Sequence, residues 1–136
     1  MKKVIAHLAA GNSIYPWVDE IDRMFGVETE RFESYGEVDT RVQNLGPGEV
    51  FIGCLWGLVK FEAPILDLQT AKYRLSDLAG LLPKHSAAII FDYDLDGKFI
   101  AALNDYLQNC GKKLVVVDAF SIEPASLKAL IERLVA

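Results

Sequence analysis

Ala87-Ala88-Ile89-Ile90-Phe91 and Leu114-Val115-Val116-Val117 are apolar at every position, and they bracket a stretch of different pattern. Between them Phe99, Leu103, Tyr106, Leu107 and Cys110 fall on one helical face that stops at Gly111. A strand that is apolar on both sides must be covered on both faces, as strands of a parallel sheet are. An amphipathic helix is the crossover that a parallel pair needs. Residues 87–117 therefore predict a strand–helix–strand unit.

The same alternation extends in both directions. Lys3–Leu8 predicts a buried strand, followed by Gly11-Asn12-Ser13 and a helix whose packed face is Ile14, Trp17, Val18, Ile21, Met24 and Phe25. Ser13 suits its N-cap, Pro16 is tolerated in a first turn, and Gly26 ends it. A charged stretch, Thr29–Tyr35, predicts an edge strand. Gly46-Pro47-Gly48 is a turn leading into a buried strand over Val50–Leu55. Trp56–Arg74 carries no clear pattern; Leu75, Leu78, Leu81 and Leu82 predict a short helix closed by Pro83. At the far end Pro124 opens a helix with the stripe Leu127, Leu130, Ile131 and Leu134. One domain over residues 1–136 is expected, an α/β doubly wound sandwich of about five mostly parallel strands.

Composition narrows the function classes. Of 136 residues 51% are hydrophobic and 24% charged, an ordinary globular balance that excludes a disordered chain. Fourteen basic against nineteen acidic residues leave a net charge of −5, which disfavours a nucleic-acid backbone or an anionic membrane surface as partner. The longest apolar runs are too short to span a bilayer. The start resembles a leader only until His7 and Gly11 interrupt it, so a cytoplasmic protein is expected. Cys54 and Cys110 form neither a disulfide framework nor a metal-ligand pattern.

In a doubly wound sheet ligands collect where strands end in loops, at their carboxyl ends. Gly11-Asn12-Ser13 stands there, at a helix start whose free N–H groups suit a phosphate; the competing reading is a turn with an ordinary cap. Trp56 beside Gly57 follows the third buried strand and either faces a planar ligand or packs beneath its loop. Asp92-Tyr93-Asp94-Leu95-Asp96-Gly97 matches half a calcium loop, but Leu103 stands where a bidentate Glu is needed. Asp94 or Asp96 then reads as a helix cap, while Asp92, Asp94 and Asp96, with Asp118 nearby, remain an alternative metal site. Walker A, Gly-x-Ser-x-Gly, Gly-x-Gly-x-x-Gly and Cys/His ligand patterns are absent. Ala9-Ala10-Gly11 replaces the acidic pair a receiver domain requires.

Taken together, these loops resemble the flavodoxin-like family. Gly11-Asn12-Ser13 is similar to its Thr-Gly-Asn-Thr phosphate loop, and Val50–Gly57 to the segment Gly-Cys-Ser-Thr-Trp-Gly, one residue shorter here. Asp92–Gly97 stands in the place of the second flavin loop. The resemblance implies bound FMN, its phosphate near Gly11, Asn12 and Ser13, and its ring between Trp56, Gly57 and Tyr93, close to Asp94. It departs from the pattern at Ala9-Ala10, where hydroxyl side chains are expected, and at the apolar Leu58-Val59-Lys60-Phe61.

Three expectations follow. The first is a small electron-transfer protein that meets redox partner proteins through its acidity. The second is a flavin-free α/β domain binding a nucleotide or other small phosphate-containing ligand in the same crevice. The third is a metal-assisted hydrolase built on Asp92, Asp94 and Asp118. The stretch Trp56–Phe61 leaves open a buried segment or a homodimer face.

Overall fold

Strands and helices alternate along the described residues. The computed structural model describes residues 5–10, 14–32, 35–55, 68–93 and 97–136. In order the elements are β1 (Ala6–Ala10), α1 (Tyr15–Phe25), β2 (Glu30–Phe32), α2 (Tyr35–Gln43), β3 (Glu49–Cys54), α3 (Leu68–Leu81), β4 (Ala87–Asp92), α4 (Gly97–Leu107), β5 (Lys113–Asp118) and α5 (Pro124–Val135). All described strand pairs are parallel and the sheet order is β2-β1-β3-β4-β5. That order, with helices on both faces, is the flavodoxin-like arrangement.

Two apolar layers hold it together. On one face Val38 and Val42 of α2, Ala71, Leu75 and Leu78 of α3, and Ile100 and Leu103 of α4 cover Phe51, Ala88, Ile90, Leu114 and Val116. On the other, Val18 and Ile21 of α1 and Leu127, Leu130 and Ile131 of α5 cover Val50, Ile52, Ile89, Phe91 and Val117. Successive residues of β3, β4 and β5 thus serve opposite layers, which is why residues 50–52, 87–91 and 114–117 are apolar without a break. Gly53 is required by close approach: a Cβ there would lie 2.8 Å from the Phe51 ring, itself fully buried.

Several boundaries differ from the sequence expectation. Strand β1 runs to Ala10, so Ala9 and Ala10 belong to the sheet. Ile14, with no side-chain cap, is the N-cap of α1, because the helix begins one residue later than a Ser13 cap allows. Gly26 does end α1, in the left-handed conformation at φ 63°. The edge strand β2 is three residues long. Helix α2 has no counterpart in the sequence expectation, and α3 begins at Leu68, seven residues before Leu75, since its first two turns bury Ala71 alone.

Polar contacts finish the layers. Arg41 of α2 meets Glu30 and Glu49, both at 3.2 Å, tying a polar helix to β2 and β3. Arg31 joins β2 to Asp19 and Asp22 of α1. Lys112 donates to the Leu82 carbonyl and Lys113 to that of Leu134, so cations sit at the carboxyl ends of α3 and α5. The outer edge of β5 is closed by Asn104: its amide nitrogen donates to the Val116 carbonyl at 2.8 Å and its oxygen accepts from the Val116 N–H at 2.9 Å. One side chain from α4 therefore occupies both backbone groups as a neighbouring strand would. Asn104→Ala is expected to lower stability by about 1–3 kcal/mol, because both groups lose their partner in a half-buried position. Urea denaturation of the two proteins measures it.

Candidate functional site

The order of the sheet reverses between β1 and β3, since β2 lies on one side of β1 and β3, β4 and β5 follow on the other. Helix α1 follows β1 into one layer and α3 follows β3 into the other, the switch point at whose carboxyl ends ligands collect in doubly wound sheets. Of the residues expected to line it, Gly11, Asn12, Ser13, Trp56, Gly57, Asp94 and Asp96 lie outside the described residues, as does Trp56–Phe61 with its choice between buried segment and dimer face. Tyr93, Asp92 and Asp118 are described.

Asp92 and Asp118 close β4 and β5 side by side in register. Asp92 belongs to the strand, not to the loop, and is fully buried; its carbonyl accepts from the Ala119 N–H at 2.9 Å. Asp118 turns both carboxylate oxygens onto its own loop. One accepts from the Phe120 N–H and the other from the Ser121 hydroxyl, each at 2.9 Å, while the Asp118 carbonyl accepts from the N–H groups of Ser121 and Ile122. Its role here is to fold the turn between β5 and α5. Among the described residues no group of three His, Cys, Asp or Glu side chains is placed to hold a metal ion.

That turn displays Phe120, 60% exposed, edge-on to Tyr93 with ring centroids 5.6 Å apart and planes at 86°. Tyr93 is half-buried immediately after β4. Burial first, and then the neighbouring Cys54, pushes its phenol above the ordinary range, so the ring is uncharged with its O–H intact at neutral pH. The two rings form an aromatic wall over the ends of β4 and β5, in the preferred T-shaped geometry. Sequence reasoning found Tyr93 and missed Phe120, whose turn carried no periodic signal; an aromatic placed between a strand and a Pro-initiated helix is the cue that was there.

The wall is braced from behind by Trp17. Its indole N–H donates to the Ala119 carbonyl at 3.3 Å, and its ring stacks on Phe91 at 5.7 Å with planes 13° apart. Trp17 reads in sequence as one more apolar helix position, yet here its polar edge links α1 to the loop that carries Phe120. An open groove of about 440 Å³ also exists on the helical layer. It is lined by α3 and α4 alone, with Lys72 above the Tyr106 ring, and involves no strand end.

No protein-family model matches the chain, and no curated protein does. Comparison with solved structures finds the flavodoxin-like domain of a Synechococcus sp protein, at a TM-score of 0.49 and 13% identity, covering 96% of this chain and 93% of that one. Among the described residues no helix is long and apolar enough to cross a membrane.

Proposed function

We propose that the chain is a small FMN-binding electron-transfer protein of the flavodoxin type. The observation that carries the reading is the Tyr93–Phe120 wall at the carboxyl ends of β4 and β5, in a sheet whose order reverses at β1 and β3. An aromatic surface with one ring half-buried and one exposed fits a planar heterocycle better than a polar substrate. Bound FMN supplies reversible one-electron chemistry, which no protein side chain here provides.

The work of the chain's own residues is binding and tuning. Tyr93 offers an uncharged ring, and Trp17 holds the Ala119–Phe120 turn in place against it. Gly11, Asn12 and Ser13 hold the phosphate at the start of α1, where free N–H groups and the helix dipole favour an anion. Trp56 and Gly57 cover the second ring face. The carboxylates of Asp92, Asp94 and Asp96 oppose gain of negative charge on a neighbouring ring and so lower its reduction potential. A net charge of −5 orients basic redox partners in brief, salt-sensitive encounters.

An absorbance scan of the purified protein before and after adding FMN tests the reading. A two-band flavin spectrum and saturable uptake are expected; a colourless protein that takes up no FMN overturns it. If such a protein were instead stabilised by a flavin-free nucleotide, the same crevice would serve a phosphorylated ligand. Replacing Phe120 with alanine is expected to weaken FMN binding about 3- to 10-fold, the worth of one edge-on aromatic contact. Fluorescence titration of FMN reads that change, and Phe120→Tyr should restore most of it.

A further inference from the structure

His7 is the histidine of β1, only 1% exposed, and among the described residues neither ring nitrogen has a hydrogen-bond partner. Phe25, the last residue of α1, packs its ring edge-on against the imidazole at 5.5 Å and 84°. Gly26 follows at φ 63°, and the chain then returns to β2, which is three residues long, lies at the sheet edge and pairs with β1 alone. We propose that this segment, from the last turn of α1 through β2, is an acid-sensitive latch: protonation of His7 lifts Phe25 and opens the β1–β2 edge while β3, β4 and β5 stay closed.

A neutral imidazole is tolerated under Phe25 because it carries no net charge. An imidazolium has two donors and a full charge, and among the described residues neither ring nitrogen meets an acceptor. From α1 the ionised group whose field reaches the ring is Asp22, one turn before Phe25. Its carboxylate already accepts from the Thr29 hydroxyl and faces Arg31 of β2 at 3.6 Å. From β3 the register partner is the apolar Val50, and from α5 the packed residues are Leu127, Leu130, Ile131 and Leu134. Asp19 of α1 is also paired with Arg31, and the titratable members of the apolar layer itself, Tyr15, Cys54 and Tyr93, lie at or beyond the carboxyl end of a strand or at the start of α1. Water reached by opening solvates the charge, and the short edge strand, which pairs with β1, is the part of the sheet that opens at least cost.

Native-state hydrogen exchange on the full chain, corrected for intrinsic rates, tests the latch. With the buried His7 held at about 4 against an ordinary 6.5, the opening constant of the α1 C-terminal and β2 amides is expected to rise about 30-fold from pH 7.5 to pH 5. At pH 5 it should exceed that of the β4 amides at least about 10-fold and be insensitive to low urea. In His7→Leu the rise should vanish. One opening constant shared by β2 and β4 at both pH values, no rise at all, or a rise that persists in His7→Leu would each overturn the proposal. Should His7→Leu fail to fold, the imidazole NMR titration of the unaltered protein decides: an ordinary midpoint near 6.5 for His7, with β2 amides still protected, rules the latch out.

Discussion

Phe91→Ala is expected to lower the unfolding free energy by about 3–5 kcal/mol, the range for emptying a fully buried aromatic site. Phe91 is wholly inaccessible in β4, between β3 and β5. The loss reaches beyond packing. Trp17 stacks on Phe91 while donating to the Ala119 carbonyl, so removing the ring frees the brace behind Phe120. Urea denaturation gives the stability change, and the Trp17 indole N–H should lose its slow exchange even where the variant is folded. Phe91→Leu, which keeps most of the volume, should cost about 1–1.5 kcal/mol and leave the indole protected. Equal costs for the two variants would show that the site is less tightly packed than the structure describes.

The second large effect is linked to protons. Burial holds the His7 imidazole at about 4, against 6.5 when exposed, with the charge of Asp22 offsetting part of the shift. A group whose folded value is depressed contributes stability that is complete above pH 6.5 and is lost as pH falls towards 4. The gap corresponds to about 3 kcal/mol. Glu20, held low by Arg23, adds a loss of the same sign at lower pH, so the His7 share is the difference from His7→Leu. Unfolding free energies of the two proteins should diverge progressively from pH 7.5 through 5.5 to 4.5, approaching that amount at the lowest pH. Parallel pH profiles would refute the assignment.

The legibility of the chain follows from how each element is buried. Strands β3, β4 and β5 are covered on both sides, so their interiors are apolar, with charged residues only at their ends, and the run is plain in sequence. Helix α2 escaped notice because it rests on the sheet through Val38 and Val42 and is otherwise held by Arg41, a surface ion pair that leaves no period. In β1 the last two residues are alanines, too weakly apolar to distinguish strand from loop. Tyr93 was legible at the site because it directly follows an apolar run. Phe120 was not, since its exposure depends on Asp118 folding the turn beneath it.

Period and hydrophobicity alone determined that strands and amphipathic helices alternate and that the sheet is parallel. Those are consequences of short-range pattern, because which faces must be covered is written into each segment. Tertiary structure alone decided that Trp17 would hold Ala119 from 102 residues away, that Asn104 would close the β5 edge, that Asp118 would serve its own turn, and that Phe25 would seal His7. Each of these joins polar or aromatic groups from different elements, and only the packing of helices on a finished sheet brings such groups within reach.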